Sequence, residues 1–100
     1  MGKLVRDRIP AIMTSAGLTP DTRILDADAF RDSLFEKLVE EAKELRDASG
    51  PQQLEEAGDV LEVFTALLAN LGYSFSDVAA VAAVKREERG GFSGRIWLES

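Results

Sequence analysis

The sequence predicts an all-α protein: a bundle of antiparallel helices forming a single domain over residues 1–100. Three observations carry that expectation. Apolar residues recur at helical spacing in two long stretches, with Phe30, Leu34, Leu38 and Leu45 on one stripe and Val60, Val63, Phe64, Leu67, Leu68 and Leu71 on a wider arc. Helix-ending and helix-starting residues separate the stretches, at Ser49-Gly50-Pro51, at Gly72 and at Gly90-Gly91. The composition, 45% hydrophobic and 30% charged, is that of an ordinary soluble globular chain.

Residues 1–8 read as an extended lead-in. A short helix follows over Ile9 to Ala16, with Pro10 in its first turn and Gly17 as its stop. Thr22 to Leu25 carries β-branched and apolar residues and reads as a short strand. Asp26 or Asp28 then caps a long helix over 29–48. The second long helix runs from about Pro51 to Leu71. Its apolar arc is wider than one-sided packing needs, which fits either a subunit interface or a central buried helix. Ser74 or Ser76 caps a third helix over 77–89, whose inner stripe of Val78, Val81 and Ala82 continues into Lys85 and Arg89. Arg95 to Leu98 reads as a second short strand, able to form a β-ribbon between 22–25 and 95–98. Phe92 and Trp97 suit core, interface or stacking on a base.

Composition excludes several chemistries. The chain has no cysteine and no histidine, which removes disulfides, thiolate nucleophiles, Ser-His-Asp catalysis and histidine metal sites. A net charge of −6 argues against a nucleic-acid partner bound through phosphate neutralisation. The start, MGKLVRDRIP, has no apolar leader core, and no stretch is long enough to span a bilayer, so the expectation is a cytoplasmic protein with no membrane partner.

The informative stretch is 36–59. Each of its two helices carries an acid pair one turn apart: Glu41 with Glu44, and Glu56 with Asp59. Glu41 falls in the middle of the first apolar stripe with Glu44 beside it; Glu56 falls inside the second arc and Asp59 at its edge. Glu36, Glu55 and Glu62 point away and read as solvated. Unpaired carboxylates on an inward face are costly, by several kcal/mol each as an order of magnitude, and four that converge repel unless a cation lies between them. Oxygen-only ligation suits Mg²⁺ first and Mn²⁺ next, with room left for water and phosphate oxygens. Lys85 and Arg89, one turn apart, are candidates to clamp phosphate, or are solvated charges favoured at a helix C-terminus. Arg6, Asp7 and Arg8 are either substrate contacts or surface charges.

These residues resemble a known family. Glu40-Glu41-Ala42-Lys43-Glu44 followed by Glu56-Ala57-Gly58-Asp59 is similar to the E-E-x-x-E … E-x-x-D signature of the MazG-like all-α nucleoside triphosphate pyrophosphohydrolases, a superfamily that includes phosphoribosyl-ATP pyrophosphohydrolases and dimeric dUTPases. The opening KLVRDRIP and the closing Lys85-x-x-x-Arg89-Gly90-Gly91-Phe92 look like a small single-domain MazG-related branch, so the resemblance covers nearly the whole chain. It implies packed helices assembled as a homodimer or tetramer, and Mg²⁺-dependent cleavage of a nucleoside triphosphate between the α and β phosphates, giving a nucleoside monophosphate and pyrophosphate. By motif position it implies Glu41, Glu44, Glu56 and Asp59 as metal ligands, Glu40 as an accessory acid, and Lys85 and Arg89 as catalytic phosphate contacts; Arg6 and Arg8 stand beside these as substrate-binding candidates on their own chemistry, not on the motif. The connection between the acid motifs is short for the family, which bears on the pocket rim. The alternatives are phosphoribosyl-ATP as substrate, or a non-catalytic helical dimer serving as an interaction module.

Overall fold

The computed structural model describes residues 2–100. Among them the chain forms four helices, α1 (Ile9–Ser15), α2 (Ala27–Asp47), α3 (Gln52–Leu71) and α4 (Phe75–Arg89), and no strand. The expected all-α class is therefore observed. The expected ribbon between 22–25 and 95–98 is not. Arg95 adopts φ +54° and its N–H closes a turn onto the Phe92 carbonyl at 3.1 Å, which breaks the extended run. Ile24, Ile96, Trp97 and Leu98 are all exposed. A two-stranded ribbon with nothing packed on it is not stable alone.

Local chemistry sets the helix ends. Asp26, rather than Asp28, caps α2: its Oδ1 accepts from the Ala29 N–H at 2.8 Å, so the helix starts two residues earlier than expected. Asp28 lies in the first turn, where a negative charge complements the helix dipole. Gly72 ends α3 at φ +88°, a conformation that suits glycine, and the Tyr73 N–H donates back to the Leu68 carbonyl at 2.9 Å. Ser74 caps α4 in a capping box with Asp77. The axis turns by 102° between α3 and α4.

The main helix packing is between α2 and α3. The chain folds back through residues 48–51. Arg31, near the far end of α2, donates from Nε to Asn70 Oδ1 at 2.9 Å, near the far end of α3. Leu34, Val63 and Leu67 form the core cluster, with Leu4, Phe30, Leu38 and Ala66 packed around it; Leu68 is also buried. Both apolar stripes thus face inward as the spacing predicts, except that Leu71, at the C-terminal end of the α3 arc, is exposed. Glu36, Glu55 and Glu62 point outward, also as expected.

The third predicted stripe differs. No residue of α4 is buried, and Val81, Val84, Lys85 and Arg89 are all exposed. Only Val78 is half-covered. The bend after Gly72 carries α4 away from the core that its valines would have joined. Phe92 and Trp97, at 98% and 81% exposure, are likewise not core residues of this chain.

Candidate metal centre

The same helical register that buries the leucines turns acids inward one or two turns further toward the connection at 48–51, burying Glu41 and half-burying Glu56 and Asp59. Glu41 lies seven residues beyond Leu34 on α2. Glu56 and Asp59 lie seven and four residues before Val63 on α3. Positions spaced by four or seven share a helix face, so the α2–α3 contact that forms the core also draws these acids together. Carboxylate oxygens of Glu41, Glu56 and Asp59 lie within 4.8 Å of one another. Glu41 is 7% exposed, the one fully buried charged residue among those described.

Three like charges at this separation demand an explanation. Glu41 Oε1 has Lys37 Nζ at 3.5 Å, one turn back on α2. Asp59 Oδ1 receives a hydrogen bond from Arg6 at 2.8 Å. The other oxygens of the two glutamates, Glu41 Oε2 and Glu56 Oε2, are buried with no hydrogen-bond partner. Buried carboxylate oxygens without partners are rare and costly. The carboxyl of Glu41 is raised above the ordinary carboxylate value, first by its burial and then by the neighbouring Glu44 carboxyl; Lys37 opposes the shift, and Asp59 adds to it.

These residues fit a hard divalent cation. The donor set is all oxygen, one oxygen of each acid lies close to those of the other two, and two of the three acids carry a buried oxygen without a partner.

Of the sequence-predicted residues, the structure brings together Glu41, Glu56 and Asp59. Glu44 is exposed beside Glu41 and interacts with it, at the rim and outside the three-acid cluster. Glu40 is exposed and lines a crevice of about 180 Å³ with Gly2, Lys3, Leu4, Glu36 and Lys37. Arg6 reaches the cluster through Asp59. Arg8 is exposed at the start of α1. Lys85 and Arg89 are elsewhere: they line a shallow groove of about 380 Å³ along α4 with Ala80, Val81, Val84 and Glu88. The cation that sequence reasoning missed is Lys37. Its i, i+4 spacing to Glu41 was the available signal.

Comparisons with known proteins add little to this geometry. No family model and no solved structure matches the chain. An uncharacterized protein of Mycolicibacterium smegmatis is 48% identical over 48 residues, which is 48% of this chain and 49% of that one. The chain spans about half the length of the curated relative it matches. Among the described residues no single helix is long and apolar enough to cross a membrane.

Proposed function

We propose that this protein is a Mg²⁺-dependent nucleoside triphosphate pyrophosphohydrolase with a MazG-like antiparallel helical bundle, acting on the cytoplasmic nucleotide pool in a house-cleaning role. The observation that carries the reading is the pair of buried, unpartnered oxygens on Glu41 and Glu56, set against Asp59 on the neighbouring turn. A polyphosphate is the substrate class that uses both a hard cation and adjacent basic groups.

In this reading water attacks the α phosphorus, the bond from that phosphorus to the α–β bridging oxygen breaks, and pyrophosphate leaves with the bonding pair. Glu41, Glu56 and Asp59 hold the cation, with Glu44 at its rim. When bound, Mg²⁺ supplies charge neutralisation on the phosphate oxygens and a lowered pKa for coordinated water. Glu40, exposed on the crevice that Lys37 also lines, is the accessory acid of this reading, and the proton of the attacking water passes to one of the acids. Lys37 limits the negative potential at Glu41, so that a phosphate can approach. The catalytic work is positioning and electrostatic stabilisation.

Self-association belongs to the same proposal. The chain exposes 8733 Å². A compact monomer of 10.9 kDa exposes roughly 5,600 Å², so the excess is on the order of 3,000 Å². The radius of gyration is 17.4 Å, against about 13 Å for a compact domain of this length. Stable dimers bury about 800 Å² per partner or more. The surplus therefore suits a homodimer or tetramer that covers α4 and the C-terminal apolar residues. Within one chain Lys85 and Arg89 do not reach the acids; in this reading they serve phosphate only where α4 of one copy meets the acid-bearing helices of another.

The test is pyrophosphate release from a panel of NTPs, dNTPs and phosphoribosyl-ATP, with Mg²⁺ and with EDTA. Metal-dependent release from one nucleotide class is expected, falling by on the order of a hundredfold or more in Glu41→Gln while the helical circular dichroism is kept. Turnover of phosphoribosyl-ATP alone would shift the substrate to that rival. The exposed apolar face of α4 also favours a non-catalytic interaction module; silence across the panel from folded protein selects it.

A further inference from the structure

We propose that Arg6 is an exchangeable counter-ion of the acid cluster: it neutralises Asp59 while the cluster is bare, and it moves to the oxygens of a bound phosphate when a divalent cation takes Asp59. The proposal rests on the metal reading above and assigns the phosphate contact to the N-terminal segment.

The two cations beside the cluster are held differently. Lys37 is largely buried, its side chain 20% exposed, and fixed on α2 next to Glu41. Arg6 and Asp59 meet at the rim, with side chains 56% and 41% exposed. An ion pair this exposed contributes little net stability and changes partner readily. Arg6 is nevertheless tethered. Leu4, two residues before it, packs on the Leu34–Val63–Leu67 core, and the Arg6 carbonyl accepts from the Ile9 N–H at 3.1 Å, where α1 begins. The guanidinium therefore stays beside the cluster when its contact with Asp59 is given up.

Charge gives the exchange its direction. Glu41, Glu56 and Asp59, with Glu44 at the rim, face two resident cations, Lys37 and Arg6. The bare site is therefore net negative and repels phosphate. One divalent cation cancels that excess and competes for the Asp59 carboxylate that Arg6 holds. A guanidinium has several N–H donors, and its fork matches two phosphate oxygens. Arg6 bonds Asp59 through one nitrogen, so most of its donors remain to receive an anion.

Calorimetric titration of the full chain tests this with two probes, Mg²⁺ alone and then inorganic pyrophosphate at saturating Mg²⁺. Arg6→Gln should bind Mg²⁺ at least about fivefold more tightly, because its competitor is gone, and pyrophosphate about tenfold more weakly. Arg6→Lys should restore part of the pyrophosphate affinity, as a point charge without the fork. Arg6 is exposed, so neither variant disturbs the core. If both affinities fall together in Arg6→Gln, Arg6 is a brace and the exchange is wrong. If wild type binds Mg²⁺ and Arg6→Gln binds it equally well, the exchange fails while the metal site stands. If neither protein binds Mg²⁺, the metal site and the exchange fail together.

Discussion

The α2–α3 pair and α4 are made from similar materials and end in opposite conditions. Both carry apolar residues at helical spacing and acids and bases one turn apart. In α2 and α3 the stripes meet, Leu34, Val63 and Leu67 lose their water, and Glu41 is drawn in with them. In α4, set off by a 102° bend, Val81 and Val84 stay exposed and Lys85 and Arg89 face solvent. A helical pattern thus specifies which face seeks burial, and the connection decides what is there to bury it. The first region is completed by its own chain; the second is left facing solvent by it.

The largest effect that should separate the regions is Leu67→Ala. Leu67 is 3% exposed in the core, so its truncation should cost about 2–5 kcal/mol in chemical denaturation. Val84→Asp on α4 should behave in the opposite way. Its helicity should persist, while light scattering should show the proposed homo-oligomer giving way to monomer, since a charge in an apolar contact must be desolvated when the contact forms. Equal destabilisation by the two substitutions would mean that α4 is part of the chain's own core and would erase the distinction.

A smaller effect lies in pH. Glu41 holds its proton more tightly folded than unfolded, so the folded state binds more protons between the ordinary carboxylate value and the raised one. Stability of metal-free protein should therefore fall as pH rises through that window, and the fall should be absent in Glu41→Gln. Denaturant midpoints measured at several pH values read the slope directly.

Much of the first region was legible in the sequence, because helical spacing is local information. Leu34, Leu38, Val63 and Leu67 fall on the predicted faces, and the position of Glu41 within a leucine stripe foretold its burial. Gly72 was a readable stop. The angle after Gly72 was not, since a glycine marks the end of one helix without fixing the direction of the next. The approach of Arg6 to Asp59, across 53 positions, was equally hidden: it depends on Leu4 finding the core. The ribbon expected from Thr22–Leu25 and Arg95–Leu98 failed because β-branched residues favour strands only where a neighbour packs on them.

The central claim is that the acids between α2 and α3 are gathered for a divalent cation. It is tested most directly by thermal unfolding of wild type and Glu41→Gln, each in EDTA and in Mg²⁺. In EDTA the variant should melt higher, because a neutral amide replaces a buried charge that its surroundings disfavour. Mg²⁺ should reverse the order: wild type gains about 2.7 kcal/mol at a hundredfold excess over Kd, and the variant gains far less. A variant that melts lower in EDTA, with Mg²⁺ moving neither protein, would contradict the claim and leave Glu41 as an ordinary partner of Lys37.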